Sequence, residues 1–143
     1  MTDPHEAKIC AGVPAMNNTL FWRIGFMVGD PVACVEFPTD GGSRSVLLLR
    51  DIEMQRARKT ARVDQVGCPA DFAPEGGLSG DRETATAQAA AECLRREGVT
   101  TVIADRTLPL INLSCSLSSV ISCFFIFPLK LNFASFECSF NEI

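Results

Sequence analysis

The chain has 143 residues, with 13 Lys plus Arg against 17 Asp plus Glu and a formal charge of −4. That is enough for one domain, with no basic excess to bind nucleic acid, and a hydrophobic fraction of 47% argues against wholesale disorder. The single histidine, His5, falls in an N-terminal segment expected to be mobile, which weighs against a multi-histidine metal site or a Ser-His-Asp triad.

The first residues, Met1-Thr2-Asp3-Pro4-His5-Glu6, are acidic and lack the basic and apolar regions of a signal peptide. Leu20-Phe21-Trp22-Arg23-Ile24 is a bulky run ending at Gly25 and predicts a strand. Two further apolar runs, residues 32–37 and 45–49, flank Pro38-Thr39-Asp40-Gly41-Gly42-Ser43. Asp-Gly and Gly-Gly favour a tight antiparallel hairpin. The unbroken apolar stretch 46–49 predicts a strand covered on both faces.

A helix is expected from Asp51, whose carboxylate would cap the first turn. Met54, Ala57 and Ala61 make a narrow apolar stripe along it. Its basic side chains, Arg56, Arg58, Lys59 and Arg62, are interleaved with Asp51, Glu53 and Asp64, so a solvated face outweighs a phosphate patch. Residues 63–66 predict a short strand, and residues 67–80 a long Gly- and Pro-containing loop of the kind that often carries function. Gly76-Gly77-Leu78-Ser79-Gly80-Asp81 superficially resembles a phosphate cradle. It lacks the spacing and the Lys, and Asp81 would repel an anion, so helix capping explains it better. Ala87, Ala90, Ala91 and Leu94 then mark a helix over residues 82–97, stopped by Gly98. Residues 99–104 are a β-branched strand. This order of elements predicts an α/β fold, a mixed β-sheet with flanking helices and a largely parallel second half.

After Leu110 the composition breaks. Residues 1–110 carry 12 basic and 15 acidic side chains, whereas residues 111–143 carry only Lys130, Glu137 and Glu142. Six of the ten Phe and three of the seven Cys lie in that tail, with no Gly. The expected organisation is therefore a domain over 1–110 and an aberrant Ser/Cys/Phe-rich tail over 111–143, such as a shifted reading frame or a misjoined exon would leave. A genuine extension is the alternative. Residues 107–129 are uncharged and long enough to span a bilayer, but Pro109, Asn112, Pro128 and five serines make a membrane helix the minority reading. The stretch Cys123-Phe124-Phe125-Ile126-Phe127 is β-prone and prone to aggregate. Seven cysteines without a C-x-x-C pattern fit free thiols in a reducing cytosol better than a zinc site or a disulfide framework. Cys34 and Cys93, in apolar surroundings, are expected to be buried structural thiols.

Asn18-Thr19-Leu20-Phe21-Trp22-Arg23-Ile24-Gly25-Phe26, followed by Asp30-Pro31, resembles the start of the N-terminal domain of the creatinase, prolidase and Xaa-Pro aminopeptidase family. Val46-Leu47-Leu48-Leu49-Arg50-Asp51-Ile52-Glu53, running into Arg56-Ala57-Arg58-Lys59, and the strand from Gly98-Val99 to Asp105-Arg106 extend the likeness to about residues 8–110. Arg23 and Ile24 depart from it, standing where the family commonly has an apolar residue and a Thr or Ser. The resemblance implies a creatinase N-terminal-like fold, incomplete at its C-terminal side, with no catalytic residues and no metal or other cofactor of its own. In such enzymes a following domain holds two divalent metal ions on Asp, Asp, His, Glu and Glu ligands. None of those ligands can be placed on this sequence. The N-terminal domain in that family supports oligomerisation and helps wall the active-site entrance. That role would fall here on Trp22, Arg23, Gly25 and Phe26, with core packing the plainer reading of Trp22 and Phe26. The implied function is a truncated, non-catalytic domain whose partner is a second copy or a separate catalytic domain. The alternatives are a small-ligand module using the 67–80 loop and a membrane tether through residues 107–129. Loss of the next family elements would leave the last strand an open edge, with marginal stability and self-association as the consequence.

Overall fold

The computed structural model describes residues 5–104, 106–109, 111–112 and 122–125. Their elements in chain order are β1 (Glu6–Gly12), α1 (Asn18–Ile24), β2 (Val32–Thr39), β3 (Gly42–Leu48), α2 (Met54–Thr60), β4 (Gln65–Gly67), α3 (Arg82–Arg96), β5 (Thr101–Ala104) and β6 (Ser122–Phe125). Short 3₁₀ turns lead into α2 at Asp51–Glu53 and follow β4 at Pro69–Phe72. The strands form one mixed sheet in the order β4-β3-β2-β1-β5-β6.

The β2–β3 hairpin is antiparallel and turns on Asp40-Gly41, with Thr39 opposite Gly42. β1 also runs antiparallel to β2, whereas β4 on β3, β5 on β1 and β6 on β5 are parallel. The mixed sheet with flanking helices expected from the sequence is thus present, and its parallel pairings involve the later strands.

Alternation along the strands divides two cores. Ala7, Ile9, Ala11, Ala33, Val35, Phe37, Val46 and Leu48 point to one face, where Ala89, Ala90, Cys93 and Leu94 of α3 cover them. The alanines of α3 allow its backbone a close approach to the sheet. Val32, Cys34, Leu47 and Leu49 point the other way, under Leu20 and Ile24 of α1, Phe26, Val28 and Ala57 of α2. Both β2 and β3 therefore bury both faces, as the unbroken apolar stretch 46–49 required.

Four expectations change. Residues 20–24 lie in a helix, not a strand: Asn17 Oδ1 accepts the Leu20 N–H at 3.1 Å, and Gly25 closes the C-terminus with φ +61°, its N–H donating to Phe21 O. Leu20 and Ile24, one helical turn apart, are the buried pair, and this tertiary spacing overrides the β-propensity of the aromatics. His5 joins the fold, since His5 O accepts N–H bonds from Thr100 and Thr101 at the mouth of the β1–β5 pair, while residues 1–4 lie outside the described residues. Asp51 does not cap an α-helix. Its Oδ1 accepts only the Ile52 N–H, and the α-helix begins three residues later. Finally, β5 is not an edge strand, because β6 pairs with it from Thr101↔Ser122 to Ala104↔Phe125.

Other local readings hold. Asp81 caps α3, accepting from the Thr84 N–H and hydroxyl at 2.8 and 2.7 Å, and Gly98 follows the helix with φ +69°. Cys34 and Cys93 are both buried, and Cys10, Cys34, Cys68 and Cys93 form no disulfide. Among the described residues no helix is long and apolar enough to cross a membrane. Most of the 107–129 run lies outside those residues.

Candidate functional site

The four residues singled out around α1 do not converge on one point. Trp22 projects to solvent, 73% exposed, so core packing does not account for it. Phe26 is 2% exposed within the α1–α2 core, and the Arg56 guanidinium lies 4.3 Å above its ring. Gly25 lets the chain turn out of α1 in the left-handed region and leaves room for Arg62, whose Nη2 donates to Trp22 O. A Cβ on Gly25 would stand 2.7 Å from Arg62 Nε. Arg23 points inward, over the sheet, and pairs with Glu36 of β2.

Arg23 thereby joins a cleft of about 140 Å³ between α1 and the sheet. Thr19 and Arg23, one helical turn apart, form its α1 wall. Lys8, Cys10, Cys34, Glu36 and Ile103 of β1, β2 and β5 form its floor. α1 is only seven residues long, and its buried Leu20 and Ile24 share a core with Val32 and Cys34 of β2. The cleft's charges are two cations and one anion: Arg23 pairs with Glu36, and Lys8 lines the same cleft. Burial pushes the Cys34 thiol up to about 11, against the pull of Arg23 and with a further push from Asp64. Cys34 is therefore a neutral thiol near pH 7.

The basic side of α2 breaks up into structural contacts. Arg56 binds Glu53 and Met27 O, and Arg62 binds Trp22 O and so ties α2 to α1. Arg58 and Lys59 are exposed, in keeping with a solvated face. The 67–80 loop is likewise anchored. Arg96 donates to Asp71 O and Ala73 O and lies over the Phe72 ring, and Ser79 N–H donates to Gln88 Oε1. The loop's carbonyls thus serve α3, and the cleft lies elsewhere.

The carboxylates also have partners. Asp30 bridges Arg50 and Arg82 at 3.1 and 3.2 Å. Asp64 accepts from the Ser45 N–H and hydroxyl, which holds its carboxyl below the usual range. Glu92 binds Arg95 and Arg96, whose hydrogen bonds lower it to about 2. Among the described residues no three His, Cys, Asp or Glu side chains gather as a metal would need. The donor set of the described residues does not fit a dinuclear centre. The cleft floor was not legible beforehand, because its residues come from strands far apart in sequence.

No family model matches the sequence, and no curated protein matches it. Solved structures do. The chain is similar to an Xaa-Pro aminopeptidase from Streptococcus pyogenes at 13% identity and a TM-score of 0.54, over 84% of this chain and 77% of that one. It is similar to a prolidase from Pyrococcus furiosus at 12% identity and a TM-score of 0.55, over 84% of this chain and 28% of the prolidase. An Xaa-Pro aminopeptidase from Streptococcus thermophilus matches at 11% identity and a TM-score of 0.53, over 83% of this chain and 77% of that one. The fold is therefore shared with chains of the group that the sequence resembles.

Proposed function

We propose that this chain contributes the supporting, non-catalytic N-terminal domain of an Xaa-Pro aminopeptidase-like metallopeptidase. The observation that carries the reading is the shared fold across 84% of the chain with an Xaa-Pro aminopeptidase and a prolidase. Two features support it. Asp30, Glu36, Asp64, Asp81 and Glu92 are committed to arginine, serine or helix-capping contacts, which suits a scaffold. The α1–α2 side also presents exposed apolar side chains: Met16 entering α1, Trp22 upon it, Met27 after it and Ile52 leading into α2. Such residues on one side of a small domain suit contact with a second copy of the chain or with a separate catalytic domain. The buried thiols Cys34 and Cys93 are compatible with a reducing compartment such as the cytoplasm, which is the location proposed.

The purified chain, incubated with Mn²⁺ or Co²⁺ and a dipeptide ending in proline, should release no product. Turnover would overturn the reading. Light scattering coupled to gel filtration tests the contact role: Trp22→Ala should shift the chain toward monomer. An unchanged mass distribution, or a monomeric parent that a family catalytic domain fails to bind, would overturn that role.

A further inference from the structure

Four cysteines lie within residues 5–104, and strand register singles out one pair. Cys10 of β1 and Cys34 of β2 are direct partners in the antiparallel ladder, so both side chains stand on the same face. Both line the cleft beneath α1. Cys93 belongs to the core on the opposite face of the sheet. Cys68 follows β4, and β3 and β2 separate that strand from β1. Neither competes for Cys10.

We propose that Cys10 and Cys34 are a dithiol modification site, closing to a reversible cross-strand disulfide when a small hydroperoxide enters the cleft. This goes beyond the scaffold role and does not depend on it. Cα atoms of directly opposed residues lie about 4.5–5.5 Å apart, within the span of about 4.4–6.8 Å that a disulfide bridges. Their Cβ atoms start about 4.5–5.5 Å apart and must draw in to about 3.5–4.5 Å. Closure thus pulls β1 toward β2 and stores strain, and a strained bridge is readily reduced.

The half-buried Cys10 begins the reaction and the buried Cys34 completes it. The Cys10 sulfur gives up its proton and attacks the peroxide, breaking its O–O bond. Cys10 becomes a sulfenic acid, and the second oxygen takes a proton and leaves as an alcohol or water. The Cys34 sulfur then displaces the hydroxyl from Cys10, forming the S–S bond, and that hydroxyl leaves as water with the Cys34 proton. Two thiols lose two electrons and the peroxide gains them.

The test treats the full-length folded chain with hydrogen peroxide and maps its peptides by mass spectrometry. A linked peptide joining Cys10 to Cys34, about 2 Da lighter than the two reduced peptides together, should dominate and disappear with dithiothreitol. It should be lost in Cys10→Ser and persist in Cys93→Ala. In urea the wild-type pairing should scatter among the seven cysteines. Cys10 recovered as sulfinic acid with Cys34 still a thiol, Cys10 joined to a different cysteine, or no oxidation of Cys10 would each overturn the proposal.

Discussion

Replacing Gly25 by alanine tests whether the junction of α1 and α2 is built as described. Gly25 has φ +61°, and an L-residue held in the left-handed region costs about 1–2 kcal/mol. The new Cβ would also stand 2.7 Å from Arg62 Nε, and the flexible guanidinium can escape only by giving up its bond to Trp22 O. That loss adds about 0.5–1.5 kcal/mol, so Gly25→Ala should destabilise by roughly 1.5–3.5 kcal/mol and lower Tm by roughly 5–15 °C. Gly98 supplies the control. Its φ is +69°, and a Cβ there would meet nothing within 4 Å. Gly98→Ala should therefore cost only the backbone contribution of about 1–2 kcal/mol. Urea unfolding of both variants, in the parent and in Arg62→Ala, completes the comparison. The excess at Gly25 should vanish once Arg62 is removed. Equal costs at the two glycines in the parent, or an excess that survives Arg62→Ala, would refute the reasoning.

Other outcomes follow from the same contacts. Leu94→Ala removes a fully buried α3 side chain and should cost about 2–5 kcal/mol in urea unfolding. Asn17→Ala removes the α1 cap and the bond from Asn17 Nδ2 to Thr107 Oγ1, and should cost about 0.5–2 kcal/mol. Asp64, Asp81 and Glu92 all titrate below their usual values, held down by Ser45, Thr84 and the Arg95–Arg96 pair respectively. Protons then bind the unfolded chain more tightly, so this stabilisation is complete above about pH 5 and fades as pH falls toward about 2. The urea midpoint should drop between pH 5 and pH 3, and less steeply in Glu92→Gln. A flat profile would contradict the assignment.

The hairpin, α3 and its stop were legible because their signals are local: Asp40-Gly41 between apolar runs, alanines at helical spacing, then Gly98. The error at α1 was also local. Leu20-Phe21-Trp22-Arg23-Ile24 reads as β by residue type, yet Asn17 and Gly25 bracket it as caps, and Leu20 and Ile24 carry the helical spacing. β1 shows strand alternation, with Ala7, Ile9 and Ala11 inward, but two of the three are alanines and the apolar signal is weak. β6 falls within the compositionally odd segment, whose residues 123–127 read as β-prone while the break in composition argued against a native role. The cleft could not be read in advance because α1, β1, β2 and β5 build it together. The opposition of Cys10 and Cys34 depends on register between strands, which neither cysteine's neighbours specify.

The place of β1 has a kinetic consequence. It lies between β2 and β5, and its parallel partnership reaches from Glu6 to Thr101. The hairpin can zip early from its two-residue turn, but β1 lacks its second partner until β5 has been made and the ends of the body brought together. Until then β1 exposes one side of its backbone to any passing strand. The hazard for this molecule is greatest during synthesis, and slowing the ribosome upstream of α3 should worsen the yield of native protein more than the same pause placed after β5.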